Sequence, residues 1–168
     1  RNGRAGPGAV VTAKRAADIV LSLGGIVLLA PFLIICCMVT ACFSPGPVLF
    51  RHRRVGFNGK PFDCLKFRTM AIDAPERLRR HLEADPAAAA EWNATRKLRD
   101  DPRTTMIGVM LRRSSLDELP QLFNVLKGDM SIVGPRPVTE EELGRYSDAI
   151  TAYYACRPGI TGLWQVSG

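Results

Sequence analysis

Apolar and polar positions divide this chain into two unlike regions. From Ile19 to Phe50 there is no charged residue. That run exceeds the roughly 20 residues needed to cross a hydrocarbon layer and the roughly 7–15 of a signal-peptide core. Pro31 falls near its middle. Proline lacks the backbone N–H and its ring clashes with the preceding turn, so it bends or breaks a helix there. Lys14 and Arg15 precede the run, and Arg51, Arg53 and Arg54 follow it. A spanning helix usually carries its Lys/Arg bias on one side, whereas a segment that dips in and returns leaves both basic flanks on one face. A proline-kinked spanning helix is also tolerated in membranes, so the residues by themselves leave the two topologies equally open.

The remainder is built from shorter periods. Ser44-Pro45-Gly46-Pro47 is a turn or linker, and Val48–Phe50 a short strand or interfacial segment. Arg51-His52-Arg53-Arg54 is expected at the headgroup level, where each base gains roughly 1 kcal/mol near anionic lipid. Gly56 and Gly59 mark a turn, and Pro61 to Phe67 alternates as a strand, with Lys66 and Arg68 on one face. Asp73 is expected to cap a helix with Glu76 as capping-box partner, and Arg79 to pair with Glu83. A second helix follows Asp85-Pro86 to Trp92. This insertion reads as a solvated charged surface. Asp100-Asp101-Pro102-Arg103 is a turn, and Thr104 to Arg113 a short helix ending in a basic pair. Leu119, Leu122, Phe123 and Leu126 have helical spacing, with Gly128 at the C′ position. Arg136 lies between Pro135 and Pro137 on a loop with little freedom. Glu140 to Tyr154 reads as helix and Arg157 to Gly162 as loop.

Composition refines this picture. The 168 residues leave room for one domain, or one domain and a membrane element. The mean hydropathy of +0.02 averages the apolar run and the polar rest. Lys and Arg number 23 against 16 Asp and Glu, a net charge of +7 that suggests a polyanionic partner. With only 7% aromatics and no stacking motif, nucleic acid is not expected. Three of the five cysteines lie in the apolar run, no pair has CxxC spacing, and there are two histidines. A disulfide framework or zinc site is therefore not expected, and the usage fits a reducing, cytosolic side.

Asp117 and Glu118 have two readings. Ser115-x-x-Glu118 forms a capping box, and acids in a first turn complement the helix dipole. Around them, however, are Arg112 and Arg113, Arg136 on its rigid loop, and Lys66 and Arg68 from a separate strand. Each cation alone is as readily ordinary surface or lipid-facing charge. Together, adjacent carboxylates amid guanidiniums suit a phosphorylated ligand and a magnesium ion, which takes one or two carboxylates plus phosphate oxygens. A carboxylate can also attack phosphorus directly.

These residues carry a resemblance to the bacterial sugar transferases, the monotopic phosphoglycosyl transferases acting on polyprenyl phosphate. The matching pieces are Lys14-Arg15-Ala16-Ala17-Asp18, Ser44-Pro45-Gly46-Pro47-Val48 to Arg54, Lys66-Phe67-Arg68-Thr69-Met70, Asp101-Pro102-Arg103, Leu111-Arg112-Arg113, Ser115 to Gln121, Gly134-Pro135-Arg136-Pro137 and Arg157 to Gly162. The resemblance implies an α+β, mostly helical fold: a re-entrant membrane helix over 14–47, interfacial amphipathic helices and a small cytoplasmic catalytic domain over 48–168, with 1–13 as a linker. The family breaks its helix at a Ser-Pro pair; here the pair is Ala30-Pro31, so the proline is kept and the serine is not.

The resemblance also implies a ping-pong transfer. Asp117 is the nucleophile that takes a sugar-phosphate from a UDP-sugar, Glu118 its acidic partner, and both are magnesium ligands. Arg112, Arg136, Lys66 and Arg68 contact phosphate, and undecaprenyl phosphate is the acceptor. The insertion and the closing segment are most like the branch using UDP-galactose or UDP-glucose in exopolysaccharide, capsule or O-antigen synthesis. The implied location is the bacterial inner membrane with the catalytic domain facing the cytoplasm, and a homo-oligomer is among the expectations. The chain starts at Arg1 without a methionine and such proteins run on past the closing Ser-Gly, so a piece of a longer protein is expected. The competing expectation is a non-catalytic membrane scaffold with a basic lipid-binding face.

Overall fold

The computed structural model describes residues 7–144 and 149–166. The fold is mostly helical with a small sheet content. Helix α1 (Pro7–Phe43) takes up the uncharged run as far as Phe43. It begins earlier than the expected boundary at 14, so part of the expected linker is helical, and its start lies at a proline, which suits a first helical turn. Pro31 lies inside α1 rather than ending it. By length and composition the Val11–Phe43 stretch can cross a membrane. Val20, Val27 and Leu28 are 68%, 69% and 77% exposed, a lipid-facing pattern rather than that of a core helix.

After α1 come β1 (Leu49–Val55) and β2 (Pro61–Phe67), paired in a two-stranded sheet across a 3-10 turn at Phe57–Gly59. The insertion forms α2 (Ala74–Ala84) and α3 (Pro86–Thr95), followed by α4 (Met106–Arg113). A 3-10 turn at Leu116–Glu118 leads into α5 (Gln121–Lys127) and β3 (Ser131–Val133). Two short helices, α6 (Glu140–Leu143) and α7 (Ile150–Tyr154), precede β4 (Gly159–Thr161) and α8 (Leu163–Val166). The expected single helix over Glu140–Tyr154 is thus α6 and α7, and its centre, 145–148, lies outside the described residues. The expected loop at Arg157–Gly162 contains β4, which runs parallel to β3 with Ser131 opposite Gly159 and Val133 opposite Thr161. Strands of this length have no readable period.

The chain divides into two compact units. The first takes the described residues of Arg1–Leu33, Arg51–Lys66 and Glu118–Gly168. One core cluster gathers Val55, Val138, Leu143 and Tyr153, with Ile150 and Tyr154 against it. Tyr153 donates its hydroxyl to the Val55 carbonyl at 2.7 Å and accepts from the Val138 N–H. A second cluster holds Phe62, Cys64, Val125 and Met130. The basic start of α1 is tied into this unit. Arg15 donates to the carbonyls of Val125 and Leu126, two of the orphan acceptors at the end of α5. Asp18, 6% exposed, accepts from the Ser131 hydroxyl and the Ile132 N–H, and Lys14 donates to Ser131 and to the Val133 carbonyl. A buried carboxylate needs such donors.

The second unit is Ile34–Phe50 with Phe67–Asp117. Here Asp85 caps α3, accepting from the N–H groups of Ala87 and Ala88. Asp73 makes no such cap; its carboxylate takes Arg77 at 2.8 Å instead. Arg79 pairs with Glu83 as expected, and also with Glu76, which is pulled down to about 2 by hydrogen bonds from Arg79 and Arg80. Thr105 caps α4 by accepting from the Gly108 N–H at 3.0 Å. Gly108 sits against Thr69, where a Cβ would lie 1.9 Å from the Thr69 carbonyl oxygen. Leu111 is buried while Met106 and Met110 are 84% and 64% exposed, so α4 carries apolar side chains on its outer face as well as its inner one. Ile35, Cys36 and Val39 of α1 line an apolar cavity of about 190 Å³ with Ile107, Met110 and Leu111 of α4.

Candidate active site

In the first unit, strand alternation builds a charged face. Along β1, Arg51 and Arg53 are exposed, while His52 and Arg54 are half-buried. The period of two sends alternate residues to opposite faces. Arg54 donates to Glu142 at 2.8 Å. Glu142 also stands 3.5 Å from Arg136 and closes a capping box with Thr139. Burial would raise its pKa, but the Thr139 N–H, Arg54 and Arg136 hold it below the ordinary carboxylate range. His52 is held below its usual range by burial and by the charges of Arg54 and Lys66.

Lys66, on β2, donates to Glu118 at 2.6 Å, with the two side chains 29% and 30% exposed. Cys64, two residues before it, is a thiol pushed up to about 11 by burial, which makes it a core residue rather than a nucleophile. The loop carrying Arg136 is pinned on both sides. The Gly159 N–H donates to the Pro135 carbonyl at 2.8 Å and the Val55 N–H to the Val138 carbonyl at 3.0 Å. Arg136 is therefore presented from a fixed backbone, 53% exposed.

In the second unit, Asp117 is 8% exposed. It lies in the 3-10 turn Leu116–Glu118, so the two candidate carboxylates are consecutive residues of one tight turn. Ser115, at φ 56°, turns the chain out of α4 through left-handed backbone, a conformation uncommon for a residue with a Cβ and enriched at functional sites. Arg112 donates its Nε to the Thr69 hydroxyl at 2.9 Å, leaving the other guanidinium N–H groups toward a cleft. Arg68, 9% exposed, donates to the Pro45 carbonyl. It follows β2 and anchors the Ser44–Pro47 turn, so it does not share a strand face with Lys66.

The capping-box reading of Ser115 and Glu118 is overturned. Helix α5 starts at Gln121 with Pro120 at its N-cap and no side-chain cap, and the Glu118 carboxylate goes to Lys66. The site residues thus fall as follows: Lys66 with Glu118 in the first unit, Arg136 with Glu142 in the same unit, and Asp117, Arg112 and Arg68 in the second. Ala30 and Pro31 lie within α1. Arg54 was not among the expected site residues; its alternation with Arg53 in a strand was the available signal. Among the described residues no group of three or more His, Cys, Asp or Glu side chains could hold a metal. Asp117 and Glu118 remain as a two-carboxylate donor set, and the second Glu118 oxygen takes no hydrogen bond among the described residues. Carboxylates are the donor type that magnesium takes, one or two at a time, together with phosphate oxygens and water.

The sequence model of the bacterial sugar transferase family matches residues 9–168. The chain belongs to that family. Among relatives of this sugar transferase, the exopolysaccharide production protein ExoY of Sinorhizobium fredii is 47% identical over 155 residues, covering 92% of this chain and 69% of that protein. The undecaprenyl-phosphate galactose phosphotransferase of Salmonella typhimurium is 50% identical over 92% of this chain and 32% of its own length. The UDP-glucose:undecaprenyl-phosphate glucose-1-phosphate transferase of Escherichia coli is 42% identical over 92% of this chain and 31% of its own. The chain thus spans about a third of the latter two proteins.

Proposed function

We propose that this chain is the catalytic part of an enzyme that transfers a hexose-1-phosphate from a UDP-sugar to undecaprenyl phosphate, in exopolysaccharide, capsule or O-antigen synthesis. The names of the relatives support UDP-galactose or UDP-glucose as donor. The observation that carries the chemistry is the buried Asp117 next to Glu118 in one tight turn, with Glu118 oriented by Lys66.

An Asp117 carboxylate oxygen attacks the β-phosphorus of the UDP-sugar. The bond from that phosphorus to the bridging oxygen breaks, and UMP leaves with the electron pair. The sugar-phosphate is then an acyl phosphate on Asp117. A phosphate oxygen of undecaprenyl phosphate attacks the same phosphorus, Asp117 departs as carboxylate, and undecaprenyl-diphosphate-sugar is formed. Each step exchanges one anhydride for another, so the protein supplies positioning and charge stabilisation. Lys66 fixes the orientation of Glu118, and Arg112 and Arg136 offer N–H groups to phosphate oxygens. Magnesium, when bound through Asp117 and Glu118, would neutralise diphosphate charge.

Both basic ends of α1 would face the cytoplasm, with the apolar helix bent at Pro31 and re-entering the inner membrane. The basic flanks on both sides and the exposed apolar surface support this arrangement.

The test is incubation with a panel of UDP-sugars, first without lipid and then with undecaprenyl phosphate. A sugar-phosphate adduct on Asp117 by mass spectrometry, followed by lipid-dependent product and UMP, is expected. Asp117→Asn should lower turnover at least about a thousandfold and abolish the adduct. Product formation by Asp117→Asn would exclude Asp117 as nucleophile. Vesicle binding without UMP release from any UDP-sugar would favour the scaffold.

A further inference from the structure

The insertion ends in a cleft of which the chemistry above uses Arg112 alone. Between α3 and α4, within the second unit, an open cleft of about 800 Å³ is lined by Arg96, Lys97, Arg99, Arg112 and Arg113, among other residues. The distribution of charge here differs from that on the neighbouring helix. On α2, Arg77, Arg79 and Arg80 each pair with a carboxylate. In the cleft, Arg103 alone is neutralised, held by Asp101 at 2.6 Å and stacked on Trp92. Burial would raise the Asp101 pKa, but Arg103 and the charge of Arg112 keep it low. Arg96, Lys97, Arg99 and Arg113 have no ion-pair partner among the described residues. Asp100 is the one other carboxylate of the lining.

The backbone beneath these cations is already ordered. Arg96 ends α3 in left-handed backbone at φ 55° and donates its N–H to the Trp92 carbonyl. The Lys97 N–H donates to the Thr95 hydroxyl, and the Arg99 N–H to the Glu91 carboxylate. Arg112 is held through Nε by Thr69. The lining side chains are thus carried on an ordered backbone, an arrangement that lowers the ordering cost of binding an anion.

We propose that this cleft is the binding site for the diphosphate of the nucleotide donor, with Arg96, Lys97, Arg99 and Arg113 as its ligands and Arg112 at its edge. The proposal rests on the sugar-transfer reading and assigns the insertion a role in it. Arginine and lysine match phosphate oxygens by charge-assisted hydrogen bonds. A polyprenyl phosphate shares that chemistry at its head, and the donor and acceptor arms of the test below separate the two sources. The volume suits a nucleotide sugar, within the usual range of about 300–1,000 Å³ for small-molecule sites. The cleft and the nucleophile belong to one unit and one stretch of chain, since α4 leads through Ser114, Ser115 and Leu116 to Asp117.

The experiment uses the full-length protein in nanodiscs, with Arg96→Ala/Lys97→Ala/Arg99→Ala as one variant, Arg113→Ala as another and Arg77→Ala as a control for bulk charge. Equilibrium binding of UDP is measured alongside the KM values of donor and acceptor and the melting temperature. The two cleft variants should bind UDP about tenfold or more weakly and raise the donor KM in parallel, with the acceptor KM and melting temperature unchanged. Arg77→Ala should bind UDP as the wild type does. Unchanged UDP affinity in the cleft variants, an equal loss in Arg77→Ala, or a rise confined to the undecaprenyl phosphate KM would each overturn the proposal, the last by assigning the cleft to the lipid phosphate. UDP binding is read without turnover. A wild type that binds UDP through the cleft but releases no UMP would therefore refute the transferase reading and leave the cleft assignment standing.

Discussion

Glu142 meets Arg54 through one carboxylate oxygen and Arg136 through the other. One side chain thereby fixes a strand residue and the loop arginine expected at phosphate. Its pKa is lower in the folded chain than the ordinary value, so the fold binds fewer protons there than the unfolded chain does. The stability this provides is fully present above the unfolded pKa of about 4.3 and is lost as pH falls through the lower folded value. Glu142→Gln should therefore be less stable than wild type at pH 7, by roughly 1 kcal/mol. Denaturation midpoints followed from pH 7 downward should converge as the wild-type carboxylate is protonated. A gap that persists at the acid end would mean that the contribution is not electrostatic. Asp117, Glu118, Lys66 and Arg136 were all legible in the sequence as candidates. Their contacts were not: the Lys66–Glu118 pair links positions 52 apart in the chain, and no local pattern carries that information.

Helix α4 shows how an element is specified partly by local rules and partly by its neighbour. Thr105 as N-cap and the basic pair Arg112–Arg113 in the last turn suit the helix dipole, and both lie in the sequence. Gly108 is a poor helix former, and only the tertiary contact explains it. The Thr69 backbone lies where a side chain would be, and this close approach lets Arg112 reach the Thr69 hydroxyl. Gly108→Ala gains about 1 kcal/mol of helix propensity but must displace backbone, a cost of about 1–3 kcal/mol by overpacking. A net fall in melting temperature is expected, together with a larger loss of activity than of stability as Arg112 shifts. A melting temperature equal to or above wild type would show that the contact yields easily. The misread 3-10 turn before α5 belongs to the same scale. Ser115-x-x-Glu118 satisfies the spacing of a capping box, but Pro120 and Gln121 begin the helix, and the ion pair with Lys66 outweighs a cap.

For the whole molecule, the proposed re-entrant topology rests on the two basic flanks of α1. The start of the helix is bound into the first unit through Arg15, Asp18 and Lys14. The residues after it carry β1, whose His52 and Arg54 belong to that unit too. A re-entrant helix satisfies these ties without carrying the basic segment Arg51–Arg54 to the opposite side. Single cysteines placed at Thr12 and Asn58 in a background lacking the native cysteines should both be labelled by a membrane-impermeant maleimide only from the cytoplasmic side of inverted vesicles. Labelling of the two from opposite sides would exclude the re-entrant arrangement.

Taken alone, the sequence determined the long uncharged run, its proline, the order of the motifs and the identity of the charged residues. These are properties of composition and local period, which need no partner to be read. The tertiary structure decided which charges meet, because ion pairs and strand faces join residues distant in the chain. It placed Arg54 inward beside Glu142, anchored Arg68 on the Pro45 carbonyl, tied Asp18 to β3 and paired β3 with β4. It kept the insertion as a solvated charged surface and made its end one wall of a basic cleft. The unpaired cations there are recognisable only when set beside the paired ones of α2, a distinction of distance that composition cannot express.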